Sequence, residues 1–205
     1  MIREKNIIEI RWHGRGGQGI QTAAFLLAEG MINCGMEAQG FPEYGPEKSG
    51  APVTAYNRIS RERILTHQSI KNPDVVIILD PTMISKDGDF KNPLNSIWNL
   101  GVNEKTKIIA NTSREFPRNN CCTEGIYTID ATSIARRLLG KPITNTTLIG
   151  VLVRILRLDY SALIKSFDDK TIIKSFEERL ARKLSRKYVE ANRKCFEEGY
   201  NYEKK

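Results

Sequence analysis

The sequence has few of the residues that build metal and redox centres. Its two histidines, His13 and His67, are too few for a multi-histidine site, and the four cysteines, Cys34, Cys121, Cys122 and Cys195, include no C-x-x-C pair. This argues against a zinc ribbon or an iron–sulfur cluster held by this chain. Reduced structural thiols are expected, because adjacent cysteines such as Cys121 and Cys122 rarely bridge each other. The longest apolar run, 148–158, carries Arg154 and Arg157 and is too short to span a bilayer. Residues 1–6 include Arg3, Glu4 and Lys5 and lack the apolar stretch of a signal peptide. A cytoplasmic protein with no membrane partner is expected. Internal repeats and low-complexity tracts are also missing.

What is present is an ordinary globular composition: 205 residues, 40% hydrophobic and 27% charged, enough for a real core in one large domain or in a domain with an appendage. The net charge of +8 raises nucleic acid as a partner. However, Arg182, Lys183, Arg186 and Lys187 are interleaved with Glu177, Glu178 and Glu190, and no recognition helix or aromatic-rich reader strand is visible. A solvated face or an acidic protein partner accounts for the charge more simply than nucleic acid.

The chain is organised around residues 7–23, IIEIRWHGRGGQGIQTA. A strand over 7–12 feeds the turn Gly14-Arg15-Gly16-Gly17-Gln18-Gly19, and a helix over 18–33 follows, with Gly35 at its end. Strand, glycine turn and helix form the first half of a βαβ unit, whose backbone N–H groups and helix N-terminus can meet an anion. Gly14-x-Gly16-x-x-Gly19 also has the dinucleotide spacing, which by itself is weak. The next strand, 37–40, lacks the acidic residue that would hold a ribose; Gln39 and Gly40 stand there instead, which counts against an NAD dehydrogenase.

A long loop over 41–52, FPEYGPEKSGAP, has the make-up of a binding loop. A strand over 53–59 is expected to pair with a short one at Ile64-Leu65. The continuous apolar runs 74–80 and 107–112 read as buried parallel strands, the first closed by Asp80-Pro81 where open α/β sheets keep their ligand crevices. Residues 83–101 read as irregular, 125–130 as the last strand, and Asp130 as the cap of a helix over 134–139. A helix over 148–156 is apolar on nearly every side and must be buried. A short helix over 161–166 and one long amphipathic helix over 171–198 complete the chain.

Several segments together resemble one family: IRWHGRGGQG (10–19), QGFPEYGPEKSGAP (39–52), NPDVVIILD (72–80), ANT (110–112) and PITNT (142–146). They are similar to the gamma subunit, or domain III, of the pyruvate and 2-ketoisovalerate:ferredoxin oxidoreductases. The likeness covers most of 7–165, and His13-Gly14-Arg15 is closer to the pyruvate branch than to the 2-oxoglutarate or indolepyruvate branches.

The resemblance implies an α/β fold: a three-layer Rossmann-like domain with a mostly parallel sheet, a long binding loop and a C-terminal helical segment. It implies one domain over 1–205, with a core over 7–165 and a helical extension over 166–205. The implied complex converts a 2-oxoacid, pyruvate foremost, and coenzyme A to acyl-CoA and CO2, with electrons passing to ferredoxin. Thiamine diphosphate, magnesium and [4Fe–4S] clusters are expected on alpha, beta and ferredoxin-like delta partners, since this chain lacks Gly-Asp-Gly followed by Asn-Asn and cluster-type cysteines.

Assembly, closure of the active site and coenzyme A contact are then left to this chain, with no catalytic residue or metal of its own. The implied contact residues are Gly14, Arg15, Gly16, Gly17, Gln18, Gly19, Tyr44, Lys48, Ser49 and Gly50, with Lys48 placed to meet phosphates. Each also has a plain structural role open to it, as do His13, Asn111 and Asn145. The alternatives are a free-standing NAD-binding Rossmann dehydrogenase and a 2-ketoisovalerate or 2-oxoglutarate member of the same family.

Overall fold

The computed structural model describes residues 6–43, 50–83, 97–114, 116, 125–164 and 168–203. Among these residues six strands form one sheet: β1 (Ile7–Arg15), β2 (Glu37–Glu43), β3 (Pro52–Ser60), β4 (Val75–Ile78), β5 (Lys107–Asn111) and β6 (Ile126–Ile129), in the order β2-β3-β1-β4-β5-β6. β1, β4, β5 and β6 pair in parallel, whereas β3 is antiparallel to both β1 and β2. β2 therefore runs in the direction of β1 with β3 inserted between them. The sheet is mixed but mostly parallel, as expected. β1 outruns the expected strand because its register with β3 continues from Ile7↔Ser60 to Arg15↔Pro52.

Two features of this half of the sheet depart from expectation. β2 continues through Phe41, Pro42 and Glu43, so the first part of the expected loop is strand. No strand forms at Ile64-Leu65, because β3 already has β1 on one side and β2 on the other.

Among the described residues there are five α-helices: α1 (Ile20–Asn33), α2 (Ala131–Leu139), α3 (Asn145–Asp159), α4 (Asp169–Ala181) and α5 (Arg186–Tyr200). The main core lies between α1, α3 and one sheet face. Ile8, Ile10 and Trp12 of β1 and Val75 and Ile77 of β4 meet Leu26 and Leu27 of α1 and Leu148 and Leu152 of α3. Each such buried side chain contributes about 1.5–3 kcal/mol. The opposite face is covered by short 3₁₀ segments at Pro81–Met83 and Ile97–Asn99; Trp98 and Phe116 pack there on Val76, Ile78, Ile108 and Ala110. Most of the expected irregular stretch 83–101 lies outside the described residues.

α3 is buried at Asn145–Thr147, at Leu148–Val153 and again at Ile155 and Leu156, which explains its lack of a polar stripe. The expected single helix over 171–198 is instead an antiparallel pair, α4 and α5, broken at 182–185. Extended backbone at Ser185 starts α5, and Asp168 caps α4 by accepting from the Lys170 and Thr171 N–H groups. Folding back brings Phe176 edge-on to Phe196, 5.4 Å between centroids, and buries both. An unbroken helix could not return both rings to the same core. Ile172, Phe176 and Phe196 share that core with β1 and α1, so α4 and α5 are part of it. Residues 161–163 form a turn where the expected helix over 161–166 would start, and 165–166 lie outside the described residues. Among the described residues, no helix is long and apolar enough to cross a membrane.

Candidate functional site

The glycine turn connects β1 to α1 at the carboxyl end of the sheet. Gly17 and Gly19 have φ of 93° and 76°, the left-handed region that favours glycine, and Gly19 opens α1. Gly14 lies one step back, buried within β1; a Cβ there would sit 2.7 Å from both Gln18 Oε1 and Ile20 Cδ1. Packing of the turn against the strand accounts for this glycine.

Gln18 folds inward. Its Oε1 accepts the Arg15 N–H at 2.8 Å, and its Nε2 donates to Asp80 Oδ2 at 2.9 Å. Arg15 Nε pairs with the same carboxylate at 3.2 Å, and the guanidinium also donates to Thr82 Oγ1 at 2.9 Å and to the Gly50 carbonyl at 3.1 Å. Asp80 Oδ1 accepts from the Thr82 N–H and hydroxyl at 2.9 and 2.7 Å. Burial pushes the Asp80 pKa up, but the Thr82 donors, Gln18 and Arg15 outweigh it and hold the carboxyl below its ordinary range. Gly16 N–H donates to Ala51 O at 2.9 Å and Gly50 N–H to Gly16 O at 3.4 Å, so the chain entering β3 is tied to the turn.

This latch sits where the chain topology reverses. The connection after β1 leads outward to β2 and the one after β4 leads the other way to β5, which leaves a crevice at their carboxyl ends. Two hollows flank it. One, about 470 Å³, is lined by Thr82, Thr112, Arg114, Ser133 and Arg136. The other, about 560 Å³, lies against Gly17 and Gly19. Asn111 ties the sheet to α2, donating to Leu79 O at 2.8 Å and to Thr132 Oγ1 at 3.0 Å. Asn145 joins the starts of α1 and α3: its Nδ2 donates to Gly19 O at 3.4 Å, while its Oδ1 accepts the Thr146 N–H at 2.8 Å.

His13 is buried, and its Nε2 accepts from Arg11 Nε at 2.9 Å. Burial and the adjacent guanidinium push its pKa down to about 3, so it is neutral and serves as a core acceptor. Arg11 in turn donates to the carbonyls of Ile70, Trp98 and Leu100, stapling β1 to the segments beneath it.

Of the ten residues singled out in the sequence, Arg15, Gly16, Gln18 and Gly50 converge in the latch. Gly17 and Gly19 face the 560 Å³ hollow, Gly14 packs inside, and Tyr44, Lys48 and Ser49 lie outside the described residues. The partners of the latch, Asp80 and Thr82, were not among the ten. The signal for them is Asp80-Pro81-Thr82, a carboxylate ending a buried strand with a hydroxyl two residues on.

The structure also explains the missing ribose acid. A Cβ on Gly40 would come within 2.5 Å of Ala24 O, so β2 needs glycine to lie this close to α1. Asn57 fills the same junction, accepting from Trp12 Nε1 and donating to Ala24 O and Gln39 O. Among the described residues, no three His, Cys, Asp or Glu side chains converge to hold a metal. Cys34 and Cys195 are buried and free, and Cys121 and Cys122 fall outside the described residues.

A family model described as pyruvate ferredoxin/flavodoxin oxidoreductase matches residues 9–202. The chain belongs to this family. The match extends through α4 and α5, beyond the 7–165 region in which the likeness was visible by motif. Pyruvate synthase subunit PorC of Thermotoga maritima is 35% identical over 199 residues, 96% of this chain and 94% of that protein. The pyruvate/ketoisovalerate oxidoreductases common subunit gamma of Pyrococcus abyssi is 35% identical over 201 residues, 96% of this chain and 100% of that protein. The crystal structure of the pyruvate oxidoreductase subunit PORC of T. maritima superposes with a TM-score of 0.74 at 32% identity, covering 96% of each chain. With full-length likeness to gamma subunits, the chain is a gamma-type member and an oxidoreductase subunit.

Proposed function

We propose that this chain acts within a multisubunit 2-oxoacid:ferredoxin oxidoreductase, with pyruvate as the 2-oxoacid, and that its glycine turn and 41–52 loop form one wall of the coenzyme A path. The partners in this reading are alpha, beta and ferredoxin-like delta subunits, with ferredoxin as electron acceptor. Thiamine diphosphate with magnesium and the [4Fe–4S] clusters, all on those partners, would supply decarboxylation and electron transfer. This chain closes the site and positions the acyl acceptor.

The observation that carries the reading is the latch. Gly16 is hydrogen-bonded to Gly50 and Ala51, and Arg15 and Gln18 are anchored on Asp80, so the chain that follows Tyr44, Lys48 and Ser49 enters β3 beside the turn at the carboxyl ends of β1 and β4. In this reading the turn would offer backbone N–H groups, and Lys48 a cation whose charge suits a phosphate.

The test is purification of the native complex and assay of ferredoxin reduction with pyruvate and coenzyme A. Activity should require all subunits and both substrates. Lys48→Ala should raise the KM for coenzyme A several-fold with assembly intact; an unchanged KM removes Lys48 from the path, and an active free monomer refutes the subunit reading. The relative named as a common subunit for pyruvate and ketoisovalerate enzymes supports a second reading, that one such chain serves both. Two distinct partner sets co-purifying with this chain would establish it.

A further inference from the structure

Beside the latch, α1, α3 and the α4–α5 hairpin enclose the groove of about 560 Å³. Its lining is mostly apolar in area, with Phe25, Leu26, Ile143, Leu180 and Leu184 beside polar neighbours such as Gln21 and Asn192. Phe25, Ile143 and Leu184 are 42%, 42% and 39% exposed, so three large side chains meet water at one place. The rim carries Arg179 and Lys183, and no carboxylate lines the groove.

The charge of the surroundings has the same sign. Residues 179–187, RLARKLSRK, hold five cations and no Asp or Glu. Arg179 and Arg182 share only Glu29, at 3.3 and 3.9 Å, and Lys183 has no ion pair among the described residues. Further along the same hairpin, Lys174, Arg193 and Lys194 each have a carboxylate. Positive charge left unbalanced beside exposed apolar side chains suits a partner that brings both carboxylates and an apolar face. A small inorganic anion would leave the apolar lining in water.

We propose that this groove is the docking site for an acidic, apolar-faced segment of another subunit of the oxidoreductase. The proposal rests on the reading of the chain as a subunit. Docking here would place the partner segment against Gly17 and Gly19, next to the latch, and so couple assembly to the shape of the turn.

The test uses the intact purified complex. A zero-length carbodiimide, which joins lysine amines to carboxylates, should link Lys183 to an Asp or Glu of another subunit. Lys183→Glu should weaken retention of the other subunits at least tenfold in a salt wash, and Leu184→Asp should do the same. Lys183→Arg should retain them. Both side chains are exposed, so the thermal midpoint of the isolated variant chains should match the unsubstituted chain. An intact complex in which Lys183 still reacts freely with an acylating reagent overturns this proposal alone. Lys183→Glu that assembles normally and changes only the KM for coenzyme A overturns it in favour of a small-molecule groove. A native chain that carries no other subunit overturns the subunit reading together with this one.

Discussion

At the scale of single residues, buried titratable groups make the protein sensitive to acid in two separate ranges. His13 has its pKa pushed from 6.5 down to about 3, so below pH 6.5 the unfolded chain binds a proton that the native chain refuses. Its contribution to stability is complete above that value and is lost progressively as pH falls towards 3. Asp80 is also depressed, from an ordinary 3.8, so the latch keeps its full contribution above that value and loses it as pH falls through the lower native one. Melting temperatures measured from pH 7 to pH 3 should therefore fall, His13→Gln should flatten the upper part of that curve, and Asp80→Asn the lowest part. A curve unchanged by His13→Gln would show that another group sets the upper range. Gln18→Ala removes two hydrogen bonds of the latch and should cost about 1 kcal/mol in denaturant unfolding. Burial also pushes Cys195 up to about 11, and Cys34 upwards, so both thiols should resist alkylation at neutral pH until the chain unfolds.

Among the elements, α3 and α5 cross at close range through their glycines. A Cβ on Gly150 would overlap the Phe196 carbonyl and approach the Tyr200 N–H at 2.8 Å; a Cβ on Gly199 would overlap the Thr147 carbonyl. The two helices therefore meet backbone to backbone, with Thr146 Oγ1 donating to Asn192 Oδ1 at 2.8 Å beside the crossing. Gly150→Ala or Gly199→Ala must push the helices apart and should cost about 1–3 kcal/mol or more, read as a lower denaturation midpoint. Gly140, which ends α2 with φ of 70° and has nothing within 4 Å of an added Cβ, is the control: its cost is conformational alone and should be smaller.

In the molecule as a whole, the C-terminal hairpin shares its interior with the sheet. Ile172 and Phe176 pack against Gly30 of α1, and Phe196 lies in the same core as Trp12 and Leu27. A chain truncated at residue 164 should lose cooperative thermal unfolding, whereas two separate transitions in the full chain would mark the hairpin as an independent unit.

How much of this was legible depends on the range of the interactions involved. The strands around 7–12, 75–78 and 107–111, the helix after the glycine turn and the buried α3 follow from local apolar runs and periodicity, as does the Asp130 cap. The motifs at 10–19 and 39–52 carried the family resemblance. Position in a sheet is a different matter, because strand pairing depends on residues far apart in sequence. β3 inserts between β1 and β2, and nothing within 53–59 distinguishes that from a hairpin with Ile64-Leu65. The break between α4 and α5 escaped for the same reason: an amphipathic stripe continues through Leu184 and Tyr188, and only the need to return Phe196 to Phe176 turns the chain back. The sequence by itself thus determined the strand–glycine-turn–helix unit and the family, since both are written in contiguous residues. Only the tertiary structure decided that Gln18 and Arg15 close on Asp80, that Gly40 lies against α1, and that Phe25, Ile143 and Leu184 meet in one groove. Those arrangements come from groups brought together by packing between separate elements, from 16 residues apart for Gly40 and Ala24 to 159 for Phe25 and Leu184.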